Sequence, residues 1–369
     1  MTTAERPLPQ SLPGLARVHF ETLDGLRGVA ALVVLVYHRR WWLGEGALEH
    51  GYLAVDFFFM LSGFVISYAY GARLASGDLG FARFLRLRAE RLLPLLALGA
   101  VLGAVVASAD ALSKGWAGGA ARALAGLPLA ALALPVPWLS LPFEINRPSW
   151  SLFYEIAANL GFAIAAGLIS LRRLWLFATL AALAFCVLTS VSQLGEIGWQ
   201  WTTLPAGIVR VAAPFAIGIL LHRLWEAGAL PRLALPFWIL APILVALLAM
   251  PGFGEQLDKV FVTACCLGAF PLIIVAGCQA EPTGLWRRLA RTSAELSYPL
   301  YILHYPLLDA FNLVGLPGSS LSVLTFAAMV IIGISFVASR AFDLPVRRWL
   351  ADHRKAARSP STVRSESVE

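Results

Sequence analysis

The chain has 369 residues, of which 59% are apolar and 14% charged, with a mean hydropathy of +0.73 and a formal net charge of +7. A soluble domain carries about 25% charged and about 45–50% apolar residues, so a soluble enzyme is excluded, as is disorder over most of the chain. At about 20 residues per crossing plus loops, the length suits an all-α, polytopic membrane bundle of roughly ten transmembrane helices.

Residues 1–20 are polar and contain proline. They lack the charged-then-apolar order of a signal peptide, so they read as a cytoplasmic segment before an uncleaved first span. Ten apolar runs follow, at 26–43, 51–70, 91–109, 150–170, 174–192, 203–221, 235–251, 260–278, 296–313 and 321–340. A weaker run at 123–141 contains Pro128, Pro135 and Pro137 and reads as re-entrant or interfacial. Residues 21–350 thus form a membrane domain, and the polar, Ser-rich 351–369 a disordered cytoplasmic tail. Cys186, Cys265, Cys266 and Cys278 lie in apolar runs without a C-x-x-C pair, so they read as free thiols, with neither a disulfide framework nor a metal site expected.

Threading ten spans from a cytoplasmic N-terminus puts 21 of the 29 Lys and Arg residues in inside segments and 6 outside. Cytoplasmic loops collect Lys and Arg, so this split places both termini in the cytoplasm. The basic excess is then a topology signal, and nucleic acid is not an expected partner.

Ionisable groups inside spans are costly and mark function. Arg27 and His38 are eleven residues apart in L-D-G-L-R-G-V-A-A-L-V-V-L-V-Y-H. On a helix that spacing puts both on one face, about 16 Å apart along the axis. A phosphate-bearing donor held at Arg27 could extend a long arm toward His38. Asp56, in G-Y-L-A-V-D-F-F-F-M-L-S-G-F, lies as far beyond the first hairpin turn as His38 lies before it. An Asp at that depth could fix the tautomer of His38 as a general base. The stretch F-A-R-F-L-R-L-R-A-E-R-L-L-P reads as an interfacial helix entering the third span at Pro94. Its Arg88 and Arg91 suit bidentate phosphate recognition, or contact with anionic lipid. Glu155, in P-S-W-S-L-F-Y-E, and His304, in S-Y-P-L-Y-I-L-H-Y-P, are candidate substrate-binding groups, each also suited to plain interhelical hydrogen bonding. Arg210 lies inside the sixth span and needs a partner, Glu155 being one candidate.

Together these motifs resemble the acyltransferase-3 family of integral-membrane O-acyltransferases, in its stand-alone form. The resemblance covers residues 20–350. It is carried by L-D-G-L-R-G-V-A-A with the Arg27–His38 spacing, V-D-F-F-F-M-L-S-G-F, R-A-E-R-L-L-P, W-S-L-F-Y-E and Y-P-L-Y-I-L-H-Y-P in that order. One departure is A-F-D-L-P, with Asp343 where the family usually has Glu. The resemblance implies ten spans and acyl-CoA as cytoplasmic donor. The acyl group, commonly acetyl, goes to a hydroxyl of a carbohydrate, glycolipid or small natural product. It also implies that Arg27, His38, Arg88 and Arg91 are needed for activity. The expected setting is a bacterial plasma (inner) membrane, as in polysaccharide O-acetylation.

A transporter or flippase for a lipid-linked or sugar substrate is the alternative, but the paired halves with broken helices that it favours are absent from the sequence. A serine hydrolase using Ser62 with His304 lacks the Gly two residues before the Ser, where Met60 stands. The His304-x-x-x-x-Asp309 match to glycerolipid acyltransferases has Pro306 inside it and reads as chance.

Overall fold

The structure is a computed structural model that describes residues 19–44, 46–315 and 320–356. Its regular structure is entirely helical, with no strand among the described residues. In chain order the helices are α1 (Glu21–Tyr37), α2 (Gly51–Ala75), α3 (Phe81–Ser113), α4 (Ala117–Ala130), α5 (Ser149–Leu168) and α6 (Leu171–Val191). They continue with α7 (Trp201–Glu226), α8 (Phe237–Leu248), α9 (Glu255–Gly277), α10 (Gly284–Leu313) and α11 (Leu321–Arg354).

Seven of these, α2, α3, α5, α6, α7, α9 and α11, are long and apolar enough to cross a membrane. The expected count of about ten is not confirmed. The three remaining apolar runs are helical, but α1 has 17 residues and α8 only 12, and α10 opens with Arg287, Arg288, Arg291 and Glu295. The weak run at 123–141 yields α4, whose 14 residues span about 21 Å, short of the ~30 Å hydrocarbon core. The arginine stretch and the third span are one unbroken helix of 33 residues through Pro94. At 1.5 Å per residue it is about 50 Å long, so the turns carrying Arg83 to Arg91 extend beyond the core. Of the expected tail, residues as far as Ala356 continue the α11 helix, and Arg354 pairs there with Glu90 of α3 at 2.5 Å. The rest of the tail, and residues 1–18, lie outside the described residues.

Small residues set the helix contacts that hold the site. In a bilayer there is little hydrophobic force between helices, so close backbone approach and dispersion decide packing. On the α1–α10 seam a Cβ added to Gly28 would lie 2.0 Å from the Ser293 carbonyl oxygen. On the α2–α7 seam a Cβ on Gly218 would lie 2.0 Å from the Met60 carbonyl oxygen, and one on Gly63 2.1 Å from that of Phe215. The glycines of the L-D-G-L-R-G and L-S-G-F motifs therefore bring α10 and α7 against α1 and α2. Pro299 and Pro306 interrupt α10's hydrogen-bond ladder around His304.

Candidate active site

Two cavities lie end to end along the Arg27–His38 face of α1. The inner one, of about 110 Å³, is lined by Arg27, Ser62, Arg88, Arg91, Glu155 and Ser297 among apolar neighbours. The outer one, of about 270 Å³, is lined by His38, Arg39, Arg40, Arg147 and Arg210 with a set of aromatic rings. Val55 and Tyr301 line both and form the partition between them. The Tyr301 hydroxyl is held by Ser151 Oγ at 2.6 Å, which fixes that wall.

The inner cavity collects the expected arginines. Arg88 Nη2 donates to Glu155 Oε1 at 3.1 Å, and Ser62 Oγ donates to the same oxygen at 2.9 Å. Arg27 Nε donates to Ser297 Oγ at 3.2 Å, and its Nη2 lies 3.3 Å from Asp24. Arg88 Nε is buried with no hydrogen-bond partner among the described residues. A buried guanidinium N–H left over at a cavity of three arginines fits an anionic or polar guest, since an unmatched buried donor costs about 1–3 kcal/mol. About 110 Å³ cannot enclose a nucleotide, but it can take a narrow acyl-bearing arm whose charged head lies at the cavity mouth.

His38 caps the C-terminal end of α1, one residue beyond Tyr37. Its Nδ1 lies 2.9 Å from the Val34 carbonyl oxygen and 3.2 Å from His304 Nε2. His304, fully buried, has its own Nδ1 2.9 Å from the Tyr301 carbonyl and 3.1 Å from that of Leu300. Carbonyl oxygens only accept, so both Nδ1 atoms carry hydrogens. His304 Nε2 then presents a lone pair to His38 Nδ1–H. His38 is thus the Nδ1–H tautomer, with its Nε2 lone pair unused by these contacts. A ring in that state can accept a proton from a hydroxyl.

Asp56 does not serve His38 in this way. Both of its oxygens are taken by Arg210, Nε to Oδ1 at 3.0 Å and Nη2 to Oδ2 at 2.7 Å, in a pair that is 0% and 1% exposed. Arg210 Nη1 also donates to the Leu194 and Ile197 carbonyls at 2.7 and 2.9 Å, and its guanidinium lies over the Trp150 ring. The pair is a strut that ties α2, α7 and the 194–197 turn together beneath the outer cavity. The group beside His38 Nδ1 is the imidazole of His304 rather than the Asp56 carboxylate, and Arg210's partner is Asp56 rather than Glu155. Ser62 is bonded to Glu155, so it forms no dyad with His304, and Asp309 pairs with Arg39 at 3.6 Å. Tyr301, Ser297 and Arg147 were not singled out in the sequence. Tyr301 stands one helical turn before His304, the signal that could have found it. No group of three or more His, Cys, Asp or Glu able to hold a metal occurs among the described residues.

An all-helical, membrane-embedded protein with an arginine-lined inner cavity and, beyond it, a half-buried His38 backed by a buried His304 is thus defined. The chain belongs to the acyltransferase-3 family, whose acyltransferase domain matches residues 20–340, and it is an O-acyltransferase of the membrane. It is 40% identical to "Protein 2 in picA locus" of Rhizobium radiobacter over 159 residues, covering 39% of this chain and 81% of that protein. It is 27% identical to "Acyltransferase MdmB" of Streptomyces mycarofaciens over 325 residues, covering 78% of this chain and 79% of that protein. No solved structure matches it.

Proposed function

We propose that the protein moves an acyl group, acetyl in the simplest case, from acyl-CoA to a hydroxyl of a carbohydrate, glycolipid or small natural product. The observation that carries this reading is the stacking of the two cavities, arginines at one end and His38 at the other, on one face of α1. Arg27, Arg88 and Arg91 hold the donor's phosphates at the inner mouth, where guanidinium forks match phosphate oxygens. Glu155, bonded to Arg88 and Ser62, keeps that guanidinium oriented. The thioester reaches the Val55–Tyr301 partition.

His38 Nε2 takes the proton of the acceptor hydroxyl as its oxygen attacks the thioester carbonyl carbon. The His304 lone pair stabilises the imidazolium that forms. The C–S bond then breaks, and the sulfur leaves with the proton that His38 carried, giving free CoA thiol and the ester. Arg210 and Asp56 act by holding the cavity floor. The distribution of Lys and Arg supports cytoplasmic termini and donor end with the His38 end outside, and the proposed setting is a bacterial plasma membrane.

The test is release of CoA thiol from acetyl-CoA by the purified protein in lipid nanodiscs, with a sugar acceptor panel, beside His38→Ala. Loss of release in His38→Ala, by about 10²–10⁴-fold as for removal of a general base, supports the reading. Equal release by both proteins contradicts it.

A further inference from the structure

A third cavity, of about 330 Å³, adjoins the outer one and shares Tyr37, Arg40, Tyr52, Gly195 and Glu196 with it. It is built by the loops between α1 and α2 and between α6 and α7 and by the first turns of α9, all at the His38 end of the molecule. Beyond the shared wall its lining is rich in oxygen and amide groups: Glu49, Thr189, Ser192, Gln193 and Asp258, with His50 behind them. Tyr37 and Tyr52 stand at the junction with ring centroids 6.2 Å apart.

Its lining carries four carboxylates, Glu49, Glu196, Glu255 and Asp258, against the cations Arg40 and Lys259. Lys259 pairs with Glu255 at 2.8 Å, and His50 lies 3.4 Å from Asp258 while also meeting the Met250 carbonyl at 3.1 Å. What the cavity offers a guest is therefore hydrogen-bond acceptors, several of them carboxylates in excess over the cations, and an aromatic edge. That chemistry suits a ring whose hydroxyls donate to carboxylates, and it disfavours an anion or an acyl chain.

We propose that this cavity is a distal acceptor subsite. The acceptor then has at least two linked rings, one presenting its hydroxyl to His38 and the next seated among Glu49, Ser192 and Gln193. The inference rests on the acyl-CoA reading above and deepens it. It makes the enzyme selective for the length of a glycoside.

The test uses the full chain in nanodiscs with acetyl-CoA and two matched probe pairs, methyl glucoside with methyl maltoside and methyl galactoside with methyl lactoside. The expected result is a KM about tenfold lower for a two-ring probe than for its one-ring partner. Glu49→Ala and Gln193→Ala each raise the two-ring KM by about three- to tenfold, the worth of one hydrogen bond. Ser192→Trp, which fills the cavity, removes the preference. The one-ring constants stay within about twofold in all three, which also shows that the variants fold. Equal KM values for one and two rings, or variants that shift both alike, would overturn the subsite. So would bound acetyl-CoA with no glycoside of either length acetylated. Failure to bind acetyl-CoA at all would instead remove the donor reading, and the binding measurement separates the two failures.

Discussion

His304→Ala removes the lone pair that faces His38 Nδ1–H at 3.2 Å and leaves, among the described residues, the Val34 carbonyl at 2.9 Å as its acceptor. In the resting enzyme each such bond contributes about 0.5–1.5 kcal/mol toward the Nδ1–H tautomer. When His38 becomes an imidazolium the same bond gains a charged donor and is worth about 1.5–3 kcal/mol. The difference, about 1–1.5 kcal/mol, falls on the proton-transfer step, so kcat is expected to drop about five- to fifteenfold. That is less than for His38→Ala, and KM for acyl-CoA stays within about twofold, because His304 lies across the partition from the arginines. His304→Gln, which can place a carbonyl oxygen near Nδ1–H, recovers part of the rate. The assay is initial-rate CoA release at saturating acceptor, with thermal melting to confirm that each variant is folded. An unchanged kcat, or a rise in KM at constant kcat, would refute the tautomer argument.

Further predictions concern stability and pH. Asp56→Asn or Arg210→Met alone strands one charge in a fully buried pair and is expected to cost about 3–5 kcal/mol, read as a lowered Tm in detergent; the double variant Asp56→Leu/Arg210→Met should melt higher than either, and additive losses would contradict the strut. Gly218→Leu drives a side chain into the Met60 carbonyl and should abolish folded yield in size-exclusion profiles, whereas Gly268→Leu, with open space at its Cβ, should be recovered normally; equal yields would refute the α2–α7 packing account. Hydrogen bonding from Arg287, then from Arg291, outweighs burial and holds the Glu21 carboxyl below its ordinary value of 4.5. A depressed folded-state value stabilises the protein above pH 4.5 and is lost as pH falls through it. The Tm advantage of wild type over Glu21→Gln should therefore be present at pH 7 and shrink below pH 4.5; a difference independent of pH would contradict the pairing.

The class of fold was legible because composition and run length report the solvent, and every apolar run of the sequence became a helix. The membrane-spanning count was less so. A hydropathy run does not reveal that α1 stops at Tyr37 or that α8 has only 12 residues. Within the site, the Arg27–His38 spacing was readable since both lie on one helix, where 3.6-residue geometry fixes their relation. Arg88 and Arg91 were readable because a run of arginines at a span's inner end has few other uses. The pairings across helices were not. Asp56 meets Arg210 across 154 positions, and His304 meets His38 across 266. Depth in the membrane restricts which groups can meet, but rotation about each helix axis decides which do. That rotation is set by contacts such as Gly28 on Ser293 and Gly218 on Met60, where glycines reveal close approach without naming the partner helix.

The most direct measurement is equilibrium binding of radiolabelled acetyl-CoA to wild type, Arg27→Ala, Arg88→Ala and His38→Ala in nanodiscs, paired with CoA release by the same samples. Arg27→Ala and Arg88→Ala are expected to weaken binding by about tenfold or more, as for loss of a charge-assisted hydrogen bond. His38→Ala is expected to bind like wild type and to release no CoA. Folded wild type that binds no acyl-CoA, or a His38→Ala protein that turns over normally, would contradict a donor held by the arginines and a reaction run at His38.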